Sequence, residues 1–512
     1  MPRPTIETSY HRRWLVLAVL CLSVLLTVVS NMALNVALPS LGRQLHAGAS
    51  SLAWIVDAYV LCFAGLLLPA GAIGDRFGRK GALQCGLVVY GAAAVLGAFS
   101  ASAGELIAAR AVMGVGAALV MPGTLSILAT VFPPAERAKA IAVWASVAGA
   151  SVALSITWSG LMLEHFWWGS LFLGMAAVAV TALVAGWFLL PTSRGQNATG
   201  LDPVGAALSV VGVTGLLYGF IQAPDDGWTT PSILAAFAIG ISGLIAFVVW
   251  ERRRPNPMLD VAFFAERRMS MGSLSIAAAY FALFGMYFVL TQYLQVVRGY
   301  STVTAGLYAL PAGLAQFAVA HLAKPLVARH GLRPVLASGL AASAAGLLAL
   351  ASAGTTSPIW TVEAGLGLLG VGIGLTMPPA TGAIMSSLPP HKAGVGSAVN
   401  DLTRELGGAF GIGVLGSLTL THYRSLLAPV LTHQPAEVAA RARAGLDGAF
   451  ATPDSALAAA RHAYASGLDQ AMIAGALVVA ATAVIVLSTL PGGATSPSRR
   501  ADQPRAEPVH SP

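Results

Sequence analysis

The sequence predicts an all-α integral membrane protein, and three observations support that fold class. Of the 512 residues, 56% are hydrophobic and only 10% are charged, whereas soluble proteins carry roughly 25% charged residues. Apolar runs of about 20 residues, the length that crosses a bilayer, recur along the chain. The excess positive charge, +8 overall, lies between these runs in the pattern that sets membrane topology. A water-soluble surface cannot be built from this composition.

Fourteen apolar runs are predicted to span the membrane. They cover residues 14–38, 51–72, 82–101, 105–129, 140–162, 167–191, 203–223, 230–250, 270–297, 302–325, 335–354, 358–385, 395–421 and 467–490. The first run is too long for a signal-peptide core and ends without a small-residue cleavage site. We therefore interpret it as the first membrane helix.

The basic residues predict the orientation. Most of the 29 Lys and Arg residues lie in the two tails and in alternate loops on the same side as the N-terminus. Because such residues concentrate in short cytoplasmic loops, both termini are expected to be cytoplasmic. The expected location is a bacterial plasma membrane, crossed many times.

The segment 251–268, which contains five Arg residues, separates the first eight spans from the last six. The sequences GDRFGRKGAL (74–83) and VARHGLRPVL (327–336) each follow the second span of a six-span block, so that Gly78 matches Gly331. This repeat favours two related bundles, with coincidence between two basic turns as the alternative. The predicted units are an N-terminus 1–13, a six-helix bundle 14–191, two linking membrane helices 192–250, a basic linker 251–268, a second six-helix bundle 269–490 with an extracytoplasmic loop 422–466, and a disordered tail 491–512.

The segment GAIGDRFGRK (71–80) lies between the second and third spans. Gly71 and Gly74 allow helices to approach closely, and Asp75 near a helix terminus can interact with its dipole. An ordinary basic turn would leave the glycines and Asp75 without a reason. The residues expected to form a cytoplasmic gate are Gly71, Gly74, Asp75, Arg76, Gly78, Arg79 and Lys80.

These residues resemble the loop signature of the major facilitator superfamily. In the fourth span, Arg110 above Gly114 and Gly116 resembles the helix 4 motif of that superfamily. The sequence NVALP (35–39), the count of fourteen spans and GVGSAVNDLTRELGGAFG (394–411) are similar to its fourteen-helix drug:proton antiporter family. The resemblance covers about residues 14–490. It implies a major-facilitator fold with two six-helix bundles and two extra central helices, and the proton-driven export of drugs or of an antibiotic, as in actinobacterial exporters.

Two positions depart from the family pattern. The family usually has an acid nine residues before the proline of NVALP, where this sequence has Ser30. The fifth helix reads ALSITWSG (153–160) where the family has a Gly-Pro and a Gly-Gly. Both departures fall where substrate and proton specificity are set, so a proton-independent or uptake permease of the same fold remains the alternative function.

Charged side chains inside the predicted spans are functional candidates, because each costs at least about 2.5 to 3.5 kcal/mol to insert. Asp57 and Arg110 lie at a similar depth, which allows an ion pair or a proton relay, with a permanent structural pair as the alternative. Asp57 is the best remaining coupling acid of the first bundle. Asp401, Arg404 and Glu405 share one helical face, where they are expected to couple protons or to act as a gate or a stabilising network.

The expected substrate cavity is less specific, because polar and aromatic residues in membrane helices also serve packing. Its candidate residues are Ser30, Asn31, Asn35, Trp158, Gln292 and Gln316. The expected partners are a small lipophilic or cationic substrate, membrane lipids and protons, in a monomer that binds no nucleic acid.

No motif indicates an enzyme or a sensor. The sequence has no P-loop for ATP, no HExxH zinc motif and no nucleophile elbow. Its three cysteines show no metal or disulfide spacing. No cofactor or metal is therefore expected, and a proton gradient is the expected energy source.

Overall fold

The computed structural model describes residues 12–47, 49–192, 202–432, the single positions 434, 435, 438, 439 and 442, and 454–491. Fourteen long α-helices lie within these residues. In chain order they are α1 Arg13–Gln44, α2 Ala49–Phe77, α3 Arg79–Ala98, α4 Ala103–Val131, α5 Pro134–His165, α6 Gly169–Leu189, α7 Pro203–Asp226, α8 Pro231–Arg253, α9 Arg267–Gln292, α10 Thr302–His330, α11 Leu332–Leu350, α12 Ile359–Ser386, α13 Ala393–Leu431 and α14 Asp454–Thr489. The predicted disordered tail lies outside the described residues, except for Pro491.

Twelve of these helices are long and apolar enough to cross a membrane. The exceptions are α5 and α13, which have 32 and 39 residues but carry more polar side chains. Both lie inside the helix assembly, where α5 packs on α1 and α10, and α13 packs on α9, α14 and α2. Polar residues are tolerated in such interior positions because they face protein and not lipid. The chain is therefore an all-helical, multi-pass membrane protein, and no strand occurs among the residues described.

The helices pack into two groups joined by a helical pair. Helices α1–α6 pack mainly with one another, and so do α9–α14. The pair formed by α7 and α8 lies beside them, with α7 in contact with both α2 and α13. The two groups, hereafter the first and second bundles, meet along two seams: α5 packs on α10 and α12, and α13 packs on α2 and α4. Residues on these seams hold the two bundles together in this structure.

The repeated turn has the same geometry in both bundles. Gly78 connects α2 to α3 with φ 120°, and Gly331 connects α10 to α11 with φ 88°. A side chain is strongly disfavoured at such φ values, so each turn requires glycine. Both turns therefore share the requirement for glycine, and the internal repeat stays a prediction.

Several helices continue beyond the apolar runs that predicted them. Helix α13 extends to Leu431 and α14 begins at Asp454, so both ends of the segment 422–466 are helical. The Tyr423 hydroxyl donates to the Ala442 carbonyl at 2.8 Å, and His422 lies 3.0 Å from the Ser466 hydroxyl. Hydropathy marks only the apolar part of a helix and therefore misses these polar extensions.

Candidate functional site

A narrow cavity lies between the two bundles. Helices α1, α2, α4 and α5 form one side, and α9 and α13 form the other. Its walls are mostly apolar or aromatic, with two charged groups. The side chains that give the cavity this character are Phe63, Met121, Tyr280, Phe284, Arg404 and Glu405. The lining thus combines apolar and aromatic surface with a positive and a negative group, the chemistry that suits an apolar molecule carrying a charge.

The predicted charged face of α13 is divided between two roles. Arg404 Nη1 lies 3.4 Å from Asp401 Oδ1, and both side chains are almost fully buried. Asn400 Nδ2 also donates to Asp401 Oδ1 at 3.2 Å, and Thr381 donates to Asn400 at 2.9 Å. Glu405 is half-buried in the cavity wall, and in the described part of the chain its carboxylate has no hydrogen bond or ion pair. The carboxylate that the cavity presents is therefore Glu405.

Arg404 lies between two aromatic rings. Its guanidinium carbon is 4.7 Å from the centre of the Tyr280 ring and 5.5 Å from that of Trp144. Trp144 is fully buried on α5, and its Nε1 donates to Thr124 Oγ1 at 3.1 Å. Sequence reasoning missed both aromatic residues, because they are far from Arg404 in the chain and only tertiary packing brings them together.

Arg110 and Asp57 are predicted to lie at a similar depth in the membrane, but in the structure they contact different partners. Arg110 is fully buried and donates to the Ser30 hydroxyl at 2.8 Å and to the Ile55 carbonyl at 3.0 Å. Its guanidinium carbon lies 4.2 Å from the centre of the Tyr59 ring. None of these contacts is with Asp57, so the direct ion pair is not formed. Ser30, at the position where an acid was expected, is thus the residue that Arg110 contacts on α1.

Asp57 interacts with the linking pair of helices. Gln222 Nε2 of α7 donates to Asp57 Oδ2 at 3.1 Å. Nearby, the Trp54 and Tyr218 rings lie 6.1 Å apart between their centres. The sequence carries no signal for this contact, because it predicts α7 only as a linking membrane helix.

Asp75 connects the first bundle to the first turn of α13. Its carboxylate accepts hydrogen bonds from the backbone N–H groups of Gly394 at 3.0 Å and Val395 at 3.1 Å. Arg79 Nε donates to Asp75 Oδ1 at 2.8 Å. Because the first N–H groups of a helix lack partners within the helix, Asp75 acts as their cap. The end of the molecule that carries the predicted gate is therefore closed by a contact between bundles.

The other predicted gate residues have separate roles. Lys80 donates to the Trp187 carbonyl at 2.7 Å, at the end of α6, where the helix dipole favours a cation. The Arg76 guanidinium lies 5.5 Å from the centre of the Phe77 ring. A Cβ on Gly74 would meet only Ala82, at 3.7 Å. Close packing therefore does not require glycine at position 74, contrary to the prediction.

The helix 4 glycines pack on two different neighbours. A Cβ on Gly114 would lie 2.5 Å from the Tyr59 carbonyl oxygen on α2. A Cβ on Gly116 would lie 2.7 Å from the Tyr90 backbone nitrogen on α3. These glycines let α4 approach both helices closely.

The remaining cavity candidates are scattered. Gln316 Nε2 donates to the Ala145 carbonyl at 3.2 Å and so connects α10 to α5 beside the cavity. Trp158 does not belong to the cavity wall, because its ring contacts Gly174 of α6 inside the first bundle. Gln292 is half-buried at the end of α9. The side chains of Asn31 and Asn35 are outside the described part of the structure.

A family model described as "Major Facilitator Superfamily" matches residues 20–412. The chain belongs to the major facilitator superfamily. The twelve apolar helices and the two bundles agree with that membership. Among the described residues, no group of three or more His, Cys, Asp or Glu side chains could hold a metal ion.

Curated relatives in the superfamily cover most of the chain. The multidrug efflux pump LfrA of Mycolicibacterium smegmatis is 34% identical over 94% of this chain and 97% of its own length. The puromycin resistance protein pur8 of Streptomyces alboniger is 34% identical over 80% of this chain and 82% of its own length. The tetracenomycin C resistance and export protein of Streptomyces glaucescens is 28% identical over 93% and 92%, respectively.

Solved structures with low sequence identity share the fold. The proton:xylose symporter XylE aligns with a TM-score of 0.61 at 15% identity, covering 94% of this chain and 96% of the symporter. The human organic anion transporter MFSD10 aligns with a TM-score of 0.59 at 14% identity, covering 91% and 99%, respectively. At such identities the likeness concerns the fold alone.

Proposed function

We propose that this chain is a secondary active transporter that exports lipophilic or cationic drugs, or a natural-product antibiotic, across the bacterial plasma membrane by proton antiport. Its membership of the superfamily and the efflux and resistance proteins among its relatives support export. No cofactor is needed in this proposal, because a proton gradient supplies the energy.

The observation that carries the proposal is the position of Glu405 in an aromatic-walled cavity between the bundles. A carboxylate without a protein partner binds either a proton or a cation, and the two compete. Aromatic walls add dispersion and cation–π attraction to an organic cation. Release of a proton from Glu405 when a cation binds would couple the two movements. Asp57, hydrogen-bonded to Gln222, is the proposed second proton-carrying group. Arg110 in the first bundle and Asp401 in the second are proposed to adjust the proton affinity of the carboxylates in their own bundle.

The proposed topology has fourteen spans with both termini cytoplasmic. Helices α5 and α13 have 32 and 39 residues, and at about 1.5 Å per residue each is longer than the roughly 30 Å hydrocarbon core. They are therefore proposed to cross the membrane with the twelve apolar helices. In this arrangement Asp75 closes the cytoplasmic end, and opening requires that its contacts with α13 break. We propose a monomer as the working unit.

The test is a transport assay with purified protein in liposomes that contain a pH dye. A pH gradient is imposed and tetraphenylphosphonium is added to wild type, Glu405→Gln and Asp57→Asn. Glu266→Gln, which changes an exposed acid outside the cavity, is the matched control. We expect substrate-dependent proton movement in wild type and in the control, and its loss in Glu405→Gln.

The same assay separates the alternatives. Loss in Asp57→Asn as well as in Glu405→Gln would assign coupling to both carboxylates. Tetraphenylphosphonium flux without proton movement in wild type would contradict antiport and leave a proton-independent permease. Accumulation of tetraphenylphosphonium on the side of the liposome membrane that corresponds to the cytoplasmic face of the protein would indicate uptake.

A further inference from the structure

Arg404 contacts both bundles in the middle of the interface. It belongs to α13, and its guanidinium lies between Tyr280 of its own bundle and Trp144 of the other. Its ion pair with Asp401 is long, at 3.4 Å. Its Nε atom and Asp401 Oδ2 are buried without a hydrogen bond. The guanidinium is therefore held by the Tyr280 and Trp144 side chains and by one long ion pair, and its Nε donor is unused.

Glu405 directly follows Arg404, and both side chains reach the same cavity. An arginine side chain is long and flexible, and a carboxylate is its strongest partner. An ion pair between Arg404 and Glu405 would neutralise the cavity. In the described structure this pair is not formed, because the guanidinium is turned to Asp401 and the two rings.

The indole of Trp144 is itself firmly placed. It is fully buried, and its Nε1 donates to Thr124 of α4. Thr124 in turn donates to the Met121 carbonyl at 2.8 Å. The indole is therefore anchored to α4 of the first bundle and presents its face to Arg404. Trp is the aromatic side chain with the strongest attraction for a guanidinium.

We propose that Trp144 is a positioning residue that makes the cavity selective for cations: its ring holds Arg404 away from Glu405, so that the carboxylate stays available to a cationic substrate. This inference rests on the proposed function, since it assigns a determinant of cation selectivity to the same cavity. It also gives Arg404 a role, because a guanidinium that returns to Glu405 takes the place of the cation and helps to release it.

The first experiment measures equilibrium binding of tetraphenylphosphonium to the purified full chain in detergent. For Trp144→Leu, which removes the ring face, we expect Kd to rise about tenfold, equivalent to about 1.4 kcal/mol. For Trp144→Phe, which keeps an aromatic face but cannot donate to Thr124, we expect a Kd close to that of wild type. Equal losses in the two variants would overturn the proposal, since a simple packing role would be damaged by both.

A second experiment, in the Arg404→Gln variant, distinguishes a positioning role of Trp144 from a packing role. In Arg404→Gln, no guanidinium remains that could reach Glu405, so adding Trp144→Leu should leave Kd unchanged. A further tenfold loss in the double variant would contradict the proposal. Size-exclusion profiles verify folding. If Arg404→Gln does not fold, the Kd values of Trp144→Phe and Trp144→Leu still test the proposal.

A third readout needs no substrate. Dicyclohexylcarbodiimide modifies protonated carboxyl groups in apolar surroundings, and mass spectrometry gives its rate at Glu405. We expect labelling several-fold slower in Trp144→Leu than in wild type and Trp144→Phe, because Arg404 then pairs with Glu405. Equal rates in all three would overturn the proposal. A wild type that binds no tetraphenylphosphonium would instead count against the proposed function, and the labelling rates would still test the role of Trp144.

Discussion

Gly71 of α2 and Gly394 of α13 face each other so closely that a Cβ on either would lie 2.6 Å from the carbonyl oxygen of the other. Because the obstacle in both cases is backbone, the helices can accept a side chain only by separating. We predict that Gly71→Ala destabilises the closed state by about 1 to 3 kcal/mol, which lowers its population relative to the open state by roughly 5- to 150-fold.

Double electron–electron resonance between spin labels on α2 and α13 measures this shift. The matched control is Gly81→Ala in α3, since a Cβ there would meet nothing within 4 Å. A distance distribution of Gly71→Ala identical to that of Gly81→Ala would show that this contact does not limit closure.

Asp75 stabilises the same closed contact by capping Gly394 and Val395. We predict that Asp75→Ala loses about 0.5 to 2 kcal/mol of this stabilisation, a roughly two- to thirtyfold shift toward the open state. The measurement is the rate at which a maleimide labels Val395→Cys in a background without Cys21, Cys62 and Cys85. The rate should rise in Asp75→Ala. It should stay unchanged in Asp260→Ala, which removes a cap of the same kind within the linker, on Ala262. A rate that does not rise would argue against a gate at Asp75.

The features that the sequence predicted well are local ones. The sequence matches Gly78 with Gly331, and in the structure both glycines have a positive φ. The close packing at Gly114 follows from a small-residue pattern within one helix. Asp75 was predicted near a helix dipole, although the helix that it caps is α13 of the other bundle.

The features that the sequence did not predict depend on contacts between distant helices. Trp144 and Arg404 are 260 positions apart, and nothing in the spacing of either connects them. Residue counts along the spans predict that Asp57 and Arg110 lie at one depth in the membrane, but they do not predict which neighbouring helix each side chain faces. In the structure Asp57 contacts α7, whereas Arg110 contacts α1 and α2.

The backbone contact at Gly114 predicts a loss of stability with a side chain. A Cβ there would lie 2.5 Å from the Tyr59 carbonyl and 3.1 Å from the Phe63 nitrogen. We expect Gly114→Ala to lower the free energy of unfolding by about 1 to 3 kcal/mol through overpacking. Thermal unfolding of the purified protein measures the change. Gly104→Ala in the same helix is the control, because a Cβ there meets nothing within 4 Å. Equal midpoints for the two variants would contradict close packing of α2 and α4.

The contact between Ser30 and Arg110 predicts that an acid is accepted at position 30. Arg110 Nη2 is buried without a hydrogen bond, and none of the acidic side chains that the structure describes contacts this guanidinium. A carboxylate in Ser30→Asp can take the place of the hydroxyl at 2.8 Å and form a charge-assisted hydrogen bond. We expect its thermal midpoint to equal or exceed that of wild type.

Ser23→Asp is the matched control for this prediction. Ser23 is fully buried on the same helix, and its hydroxyl donates to the Val19 carbonyl at 2.9 Å. No arginine that the structure describes contacts Ser23, so we expect an acid there to lose about 2.5 to 3.5 kcal/mol and to lower the midpoint or the yield of folded protein. The difference between the variants measures how much Arg110 favours a negative neighbour. If Ser30→Asp is destabilised as much as Ser23→Asp, then the Ser30 hydroxyl, and not the lack of an acid, is what Arg110 requires.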